Sequence, residues 1–208
     1  MEGDKKGFKQ GIWIGVALTS LVGMLVFAGL YFNTANKSQE EVVAGEKTTQ
    51  EDETATTFEG VINDGDYVLG NPDAKVKVFE FSDLQCPYCA RFHEVMHQIV
   101  EEYPNDVAWV FRHFPIQSHT YGLTGSVAAE CAGAQGKFWE MTDKIYINLD
   151  SLTEDSFTGF AKELGLDMDA FATCQTENPY LDKIAADYQQ GIAAGVGGTP
   201  TSFVNGQS

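Results

Sequence analysis

The chain has 208 residues, of which 30 are acidic and 13 basic, giving a formal charge of −17 at neutral pH. That acidic excess argues against nucleic acid or an anionic membrane surface as a partner. The four cysteines fit an oxidising compartment, although four are too few to prove one.

Residues 1–10 carry Lys5, Lys6 and Lys9. From Gly11 to Phe32 the chain then runs without a charged residue, about 33 Å as a helix, which matches a bilayer core. Trp13 and Tyr31 stand near its ends, where interfacial aromatics belong. The flanking lysines predict a single-pass anchor over 11–32, with a cytoplasmic N-terminus and the rest outside. A cleaved signal peptide is the alternative, since Val26-Phe27-Ala28 loosely fits a cleavage site, but the apolar run continues past Ala28. Residues 33–59 are rich in Thr, Glu and Ala and poor in large apolar side chains, so they read as a flexible acidic linker. A tether of that length would hold a domain roughly 30 Å from the membrane.

Residues 60–208 remain for one α/β domain, large enough for a substantial core. Tyr67-Val68-Leu69 predicts a short strand, followed by a turn at Gly70-Asn71-Pro72-Asp73. Val76–Phe81 predicts a buried strand, and a helix follows up to Pro104. Val107–Phe114 predicts the next strand, parallel to the first across the helix. From about 120 to 195 the pattern is helical, with segments over 122–135, 138–148, 154–164, 168–177 and 180–194. Ser151-Leu152-Thr153-Glu154 reads as a capping box, and Gly165 stands where a helix C-cap would. Phe138, Trp139, Phe157, Phe160, Phe171 and Tyr180 are the expected core of this region. Thr201–Val204 predicts a short strand, closed by a hairpin signal at Asn205-Gly206.

The strand-to-helix junction holds Cys86-Pro87-Tyr88-Cys89. Cys86 falls near the helix N-terminus, where unpaired N–H groups and the dipole favour an anion, so its thiol should ionise easily and be the exposed sulfur. Pro87 suits the first helical turn. This is the layout of a redox dithiol. Half of a zinc site is the rival reading, but Cys131 and Cys174 stand alone and far apart. His93 and His97 follow Cys89 at i+4 and i+8 and share its helix face. Histidines on a surface helix are more often plain polar residues, so no metal site is assigned. Glu80 lies on the expected central strand, where a carboxylate would be buried with a raised pKa and able to exchange a proton with Cys89. An exposed strand-end glutamate is the alternative. Cys131 and Cys174 both fall in the helical region. A disulfide between them would close about 44 residues and contribute about 4 kcal/mol by loop entropy. Two buried free thiols are the other reading.

Leu69-Gly70-Asn71-Pro72-Asp73-Ala74, Glu80-Phe81-Ser82-Asp83 with the C-x-x-C, Arg112-His113-Phe114-Pro115, Ala129-Glu130-Cys131-Ala132, Gln135-Gly136-Lys137-Phe138-Trp139 and Gly198-Thr199-Pro200-Thr201 occur in that order. In this set the sequence resembles the membrane-tethered DsbA-like thiol–disulfide oxidoreductases of the thioredoxin fold. The resemblance implies a helical insertion into a thioredoxin core, and a cis Pro200 bringing the Thr199 backbone to the dithiol to pair with extended substrate. It implies Cys86 and Cys89 as the catalytic pair, tuned by Pro87 and Tyr88, with Glu80 as accessory acid and no cofactor. Pro-Tyr lacks the histidine of the best-studied members and also occurs between glutaredoxin cysteines, which implies a less oxidising pair. The implied partners are reduced or unfolded exported proteins and a membrane redox protein that passes electrons to quinone. A reductase or isomerase, or a non-catalytic tethered chaperone-like module, are the alternatives. After Asn205-Gly206 the family continues with a strand and a helix that are missing here, so poor stability is expected unless a partner covers the gap.

Overall fold

The computed structural model describes residues 57–208. The expected anchor over 11–32 and nearly all of the linker lie outside them. Among the described residues no helix is long and apolar enough to cross a membrane.

Four strands, β1 (Val68–Gly70), β2 (Val76–Ser82), β3 (Val107–His113) and β4 (Thr201–Val204), form one mixed sheet in the order β1-β3-β2-β4. β2 and β3 run parallel, as their helical crossover requires, while β1 and β4 are antiparallel additions at the two sides. The crossover is α1 (Pro87–Glu102). Between β3 and β4 come α2 (Gly122–Gly133), α3 (Phe138–Ile147), α4 (Ser156–Glu163), α5 (Met168–Glu177) and α6 (Leu181–Ala193). This is a thioredoxin-like sheet with a long helical stretch inserted before its last strand.

All seven residues of β3 are buried, the mark of a strand covered on both faces. Alternation sorts them. Val78, Glu80 and Ser82 of β2 lie level with Trp109, Phe111 and His113 of β3 on one face. There Met96 and Val100 of α1 pack on Val78, Val107 and Trp109. The core continues through Phe111 into Leu84, Phe138, Met141, Ile145, Phe157 and Phe171, joining the inserted helices to the sheet. On the opposite face Phe81, Phe114 and Phe203 meet Phe58. Helix α6 approaches this side closely at Gly191, where a Cβ would stand 2.6 Å from the Phe114 ring.

Two covalent or charged ties brace this frame. Cys131 of α2 and Cys174 of α5 form a disulfide, S–S 2.00 Å and Cα–Cα 5.8 Å. Arg112 of β3, wholly enclosed, is bound by Asp66 (Nη2 to Oδ2 2.8 Å) and by Asp187 of α6 at 3.3 Å.

One local reading is corrected. Ser151 does not cap α4 but lies in a 3-10 turn, Leu149–Ser151. α4 instead starts after Asp155 with no side-chain cap, and in the turn before it the Thr153 N–H donates to Ser156 Oγ at 2.9 Å. Leu152 is extended and breaks the helical run that a cap at Ser151 would need. Gly165 does close α4, with φ +69°, a conformation that favours glycine. At the other end Asn205 and Gly206 both have positive φ, and Val204 pairs with Gln207 across them, a two-residue hairpin turn.

Candidate active site

β2 ends at Ser82, and the chain must turn sharply to start α1. Asp83, inaccessible to solvent, organises the turn. Its backbone carbonyl accepts from the Cys86 N–H at 3.0 Å. Its carboxylate accepts from the N–H groups of Gln85 and Ile116, both at 2.6 Å, tying the turn to the loop after β3. The result places Cys86 at the N-cap of α1 with extended backbone, Pro87 at the first helical position and Cys89 one turn in.

Both thiols are free, so the pair is in its reduced form. The sequence suggested an exposed Cys86 sulfur. Instead Cys86 keeps only 4% of its surface and Cys89 none, because the loop before β4 lies across them. That loop carries a cis Thr199–Pro200 bond. The antiparallel register of β4 on β2, Phe81 opposite Thr201, fixes its position at the end of β2 where the dithiol turn begins. The carbonyl oxygen of Thr199 consequently lies 3.4 Å from Cys86 Sγ and accepts its S–H. Tyr88, between the cysteines, is 66% exposed with the Arg91 guanidinium over its ring.

Behind the dithiol lies a closed polar layer. Glu80 is fully buried, and burial raises its pKa to about 7 against the opposing hydrogen bonds from Ser82 and Trp109. Ser82 Oγ donates to Glu80 Oε1 at 2.5 Å and lies 3.2 Å from the Tyr146 hydroxyl. Trp109 Nε1 donates to Glu80 Oε2 at 2.8 Å. Burial pushes the Cys89 thiol up to about 12, while hydrogen bonding from Ser82, Asp83 and Thr199 pulls the other way. Ser82, bonded to Glu80, is also the first of the groups whose hydrogen bonding opposes the rise at Cys89. Glu80 is buried with a raised pKa, as expected, and Ser82 beside it is an addition to the expected set. Ser82 stands two residues after Glu80 on the same strand face, so alternation could have found it. Tyr146 could not be found that way, because its place depends on how α3 docks.

His93 and His97 stand together on α1 and meet Asp143 of α3, while Cys89 takes no part in that group.

Residues 62–208 match the family described as Thioredoxin. Among solved structures the chain is similar to alpha-DsbA1 of Wolbachia pipientis, at 27% identity over 69% of this chain and 76% of that one, TM-score 0.61. It is also similar to DsbA2 of Pseudomonas aeruginosa, at 26% identity over 70% and 82% of the two chains, TM-score 0.59. BdbD of Bacillus subtilis shares the fold, at 21% identity over 73% and 87%, TM-score 0.65. Among curated proteins, 145 residues are 36% identical to a stretch of Na(+)/H(+) antiporter NhaA 1 of Salinispora arenicola, 69% of this chain. The chain spans only 22% of that relative's length. With a C-x-x-C at a helix N-terminus, a cis-proline loop against it and this match over most of its length, the chain belongs to the thioredoxin family, with DsbA proteins among its solved neighbours.

Proposed function

We propose that the protein is an extracytoplasmic dithiol oxidase that introduces disulfides into exported proteins. The observation that carries this reading is the asymmetry of the pair: Cys86 at the positive end of α1, and Cys89 sealed one turn deeper over a buried acid. Cys86, with the Thr199 carbonyl beside it, is the sulfur at which exchange with a substrate begins, and Cys89 is the sulfur that leaves.

In the oxidised enzyme a substrate thiolate attacks Cys86 Sγ, the Cys86–Cys89 bond breaks, and Cys89 leaves with the electron pair. Glu80, protonated near neutral pH, supplies the proton through Ser82, since burial makes an uncompensated Cys89 thiolate costly. A second substrate thiolate then attacks its own sulfur in the mixed disulfide and releases Cys86. The substrate loses two electrons and the pair gains them. Thr199 and Pro200 present backbone beside Cys86 for an extended segment to lie against, a mode that accepts many unfolded chains. Pro87 and Tyr88 set the environment of the pair. The apolar run over 11–32 supports a single-pass anchor with an inside N-terminus, and a quinone-linked membrane protein would reoxidise the pair.

The test is the equilibrium of Cys86 and Cys89 with a glutathione series. A potential well above the glutathione poise supports the oxidase. A value near that of thioredoxin, about −270 mV, would make the same residues a reductase.

A further inference from the structure

Outside the dithiol, the described residues hold one group of side chains whose hydrogen bonds cannot all be satisfied. His93 Nε2 lies 2.6 Å from Asp143 Oδ1 and 3.0 Å from His97 Nε2, and His97 Nε2 lies 3.3 Å from the same carboxylate oxygen. A neutral imidazole has one N–H. If each histidine carries it on Nε2, both can donate to Asp143, but the two nitrogens 3.0 Å apart then have no acceptor between them. If only His97 does, a bare His93 nitrogen faces a carboxylate oxygen at 2.6 Å. If only His93 does, its single hydrogen serves either Asp143 or His97, and the bare His97 nitrogen faces the carboxylate. With Asp143 ionised, no placement of protons satisfies all three contacts.

A cation satisfies them at once. From the geometry we infer that His93, His97 and Asp143 form a binding site for a divalent transition-metal ion of the zinc class, with both Nε2 atoms and one carboxylate oxygen as ligands. Four-coordinate zinc with bonds near 2.0–2.1 Å spaces its donors about 3.3 Å apart. Two of the three separations already lie within 0.3 Å of that value. Only the His93–Asp143 contact must widen, and Asp143, with its side chain 40% exposed on α3, has room to swing. Imidazole and carboxylate together are a donor set for zinc, copper or nickel rather than for calcium.

The surroundings fit this use. The three ligands line a cleft of about 390 Å³ between α1 and α3, with Glu94 and Gln98 on its wall. The cleft leaves the fourth position to water or to Glu94. The helical spacing supplies the rest: His93 and His97 are one turn apart on one face, the arrangement that presents two imidazoles to one ion. The neighbouring indoles of Trp109 and Trp139 pack against the His93 ring, with centroids 5.1 and 6.1 Å away. One feature limits the affinity. Nδ1 of His93 is buried without a hydrogen-bond partner. Metal-bound histidines ordinarily have that support, whose loss weakens binding about 10–100-fold. The site is therefore suited to exchange its ion rather than to keep it permanently.

The test is calorimetric titration of Zn(II) into the untagged full chain, with Cys86 and Cys89 oxidised to their disulfide so that no free thiol competes. The 30 acidic residues will bind zinc weakly, so the comparison is with His97→Ala and Asp143→Asn, both partly exposed positions. The expected result is one tight equivalent in the parent. Each variant should weaken it by more than the loss of an outer support would, beyond about 100-fold. Co(II) should give a tetrahedral visible spectrum in the parent and none in the variants. Equal Zn(II) affinity in the parent and in the folded double variant would overturn the site, and so would no binding above the weak background.

Discussion

The indole N–H of Trp109 donates to Oε2 of Glu80 at 2.8 Å, between two side chains that solvent does not reach. That bond, with the one from Ser82, holds a carboxyl group in the interior, on the strand that leads into the dithiol turn. Burial prevails over both bonds and raises its pKa to about 7.

A stability signature follows. Between about pH 4.5 and 7 the native chain keeps a proton on Glu80 that the unfolded chain has released. Stability from this group is therefore fully present in acid and falls as pH rises towards 7, by about 3 kcal/mol in all. Glu80→Gln keeps an acceptor for Trp109 and removes the titration. Urea unfolding of parent and variant at pH 4.5 and pH 8 should show the variant gaining on the parent at the higher pH. Parallel pH profiles would show that Glu80 does not titrate in this window.

The same substitution reports on chemistry. If Glu80 supplies the proton that Cys89 takes up, Glu80→Gln should slow oxidation of a reduced protein at pH 7 on the order of 10²-fold. Binding of an unfolded chain should be unchanged. Ser82→Ala should slow the reaction in the same direction, since it cuts the route between the carboxyl group and the sulfur.

Removing either sulfur separates the two roles. Cys86→Ala should abolish disulfide transfer while leaving peptide binding intact. Cys89→Ala, with the substrate supplied as a disulfide, should let Cys86 attack it and leave a mixed disulfide that nothing resolves. Non-reducing electrophoresis detects that adduct directly, and its absence would remove Cys86 as the attacking group.

Reading these roles from the chain alone had definite limits. β2, β3 and their crossover follow from short apolar runs around Cys86–Cys89, and the observed strands differ from the predicted ones by a residue or so. Met168–Glu177 was found to the residue, its start marked by Asp167, whose side chain accepts from the Asp169 and Ala170 N–H groups. The Ser151 cap failed because the S-x-x-E pattern describes two residues without the backbone between them, and Leu152 is extended. The expectation of an exposed Cys86 goes with its role in exchange, and the structure buries it. What covers it comes from Thr199, 113 residues away, and no local pattern carries that information. The same holds for Asp143, which meets His93 across 50 residues and only because α3 packs on α1.

Arg112 offers a test of the frame rather than of the site. Its guanidinium is the cation paired with both Asp66 and Asp187, whose side chains are almost wholly enclosed. Arg112→Ala should cost about 3–5 kcal/mol by leaving two carboxylates buried without a counter-charge. Chemical denaturation measures this, and a loss below 1 kcal/mol would mean that water reaches the carboxylates.

The bridge between α2 and α5 should be separable from the redox pair. Replacing Cys131 and Cys174 together by alanine should lower stability by about 4 kcal/mol, the loop-entropy value for a closure of this length. The rate of disulfide exchange at Cys86 should not change at temperatures where the variant is folded.

That bridge also says something about how the molecule comes into being. A newly made chain carries four thiols, and two of them must be oxidised before α2 and α5 are tied. An unfolded chain with thiols awaiting a disulfide is what the proposed reaction consumes. Under the proposed function each copy is thus a client before it is an enzyme, and a finished copy, with its own pair oxidised, could complete the next.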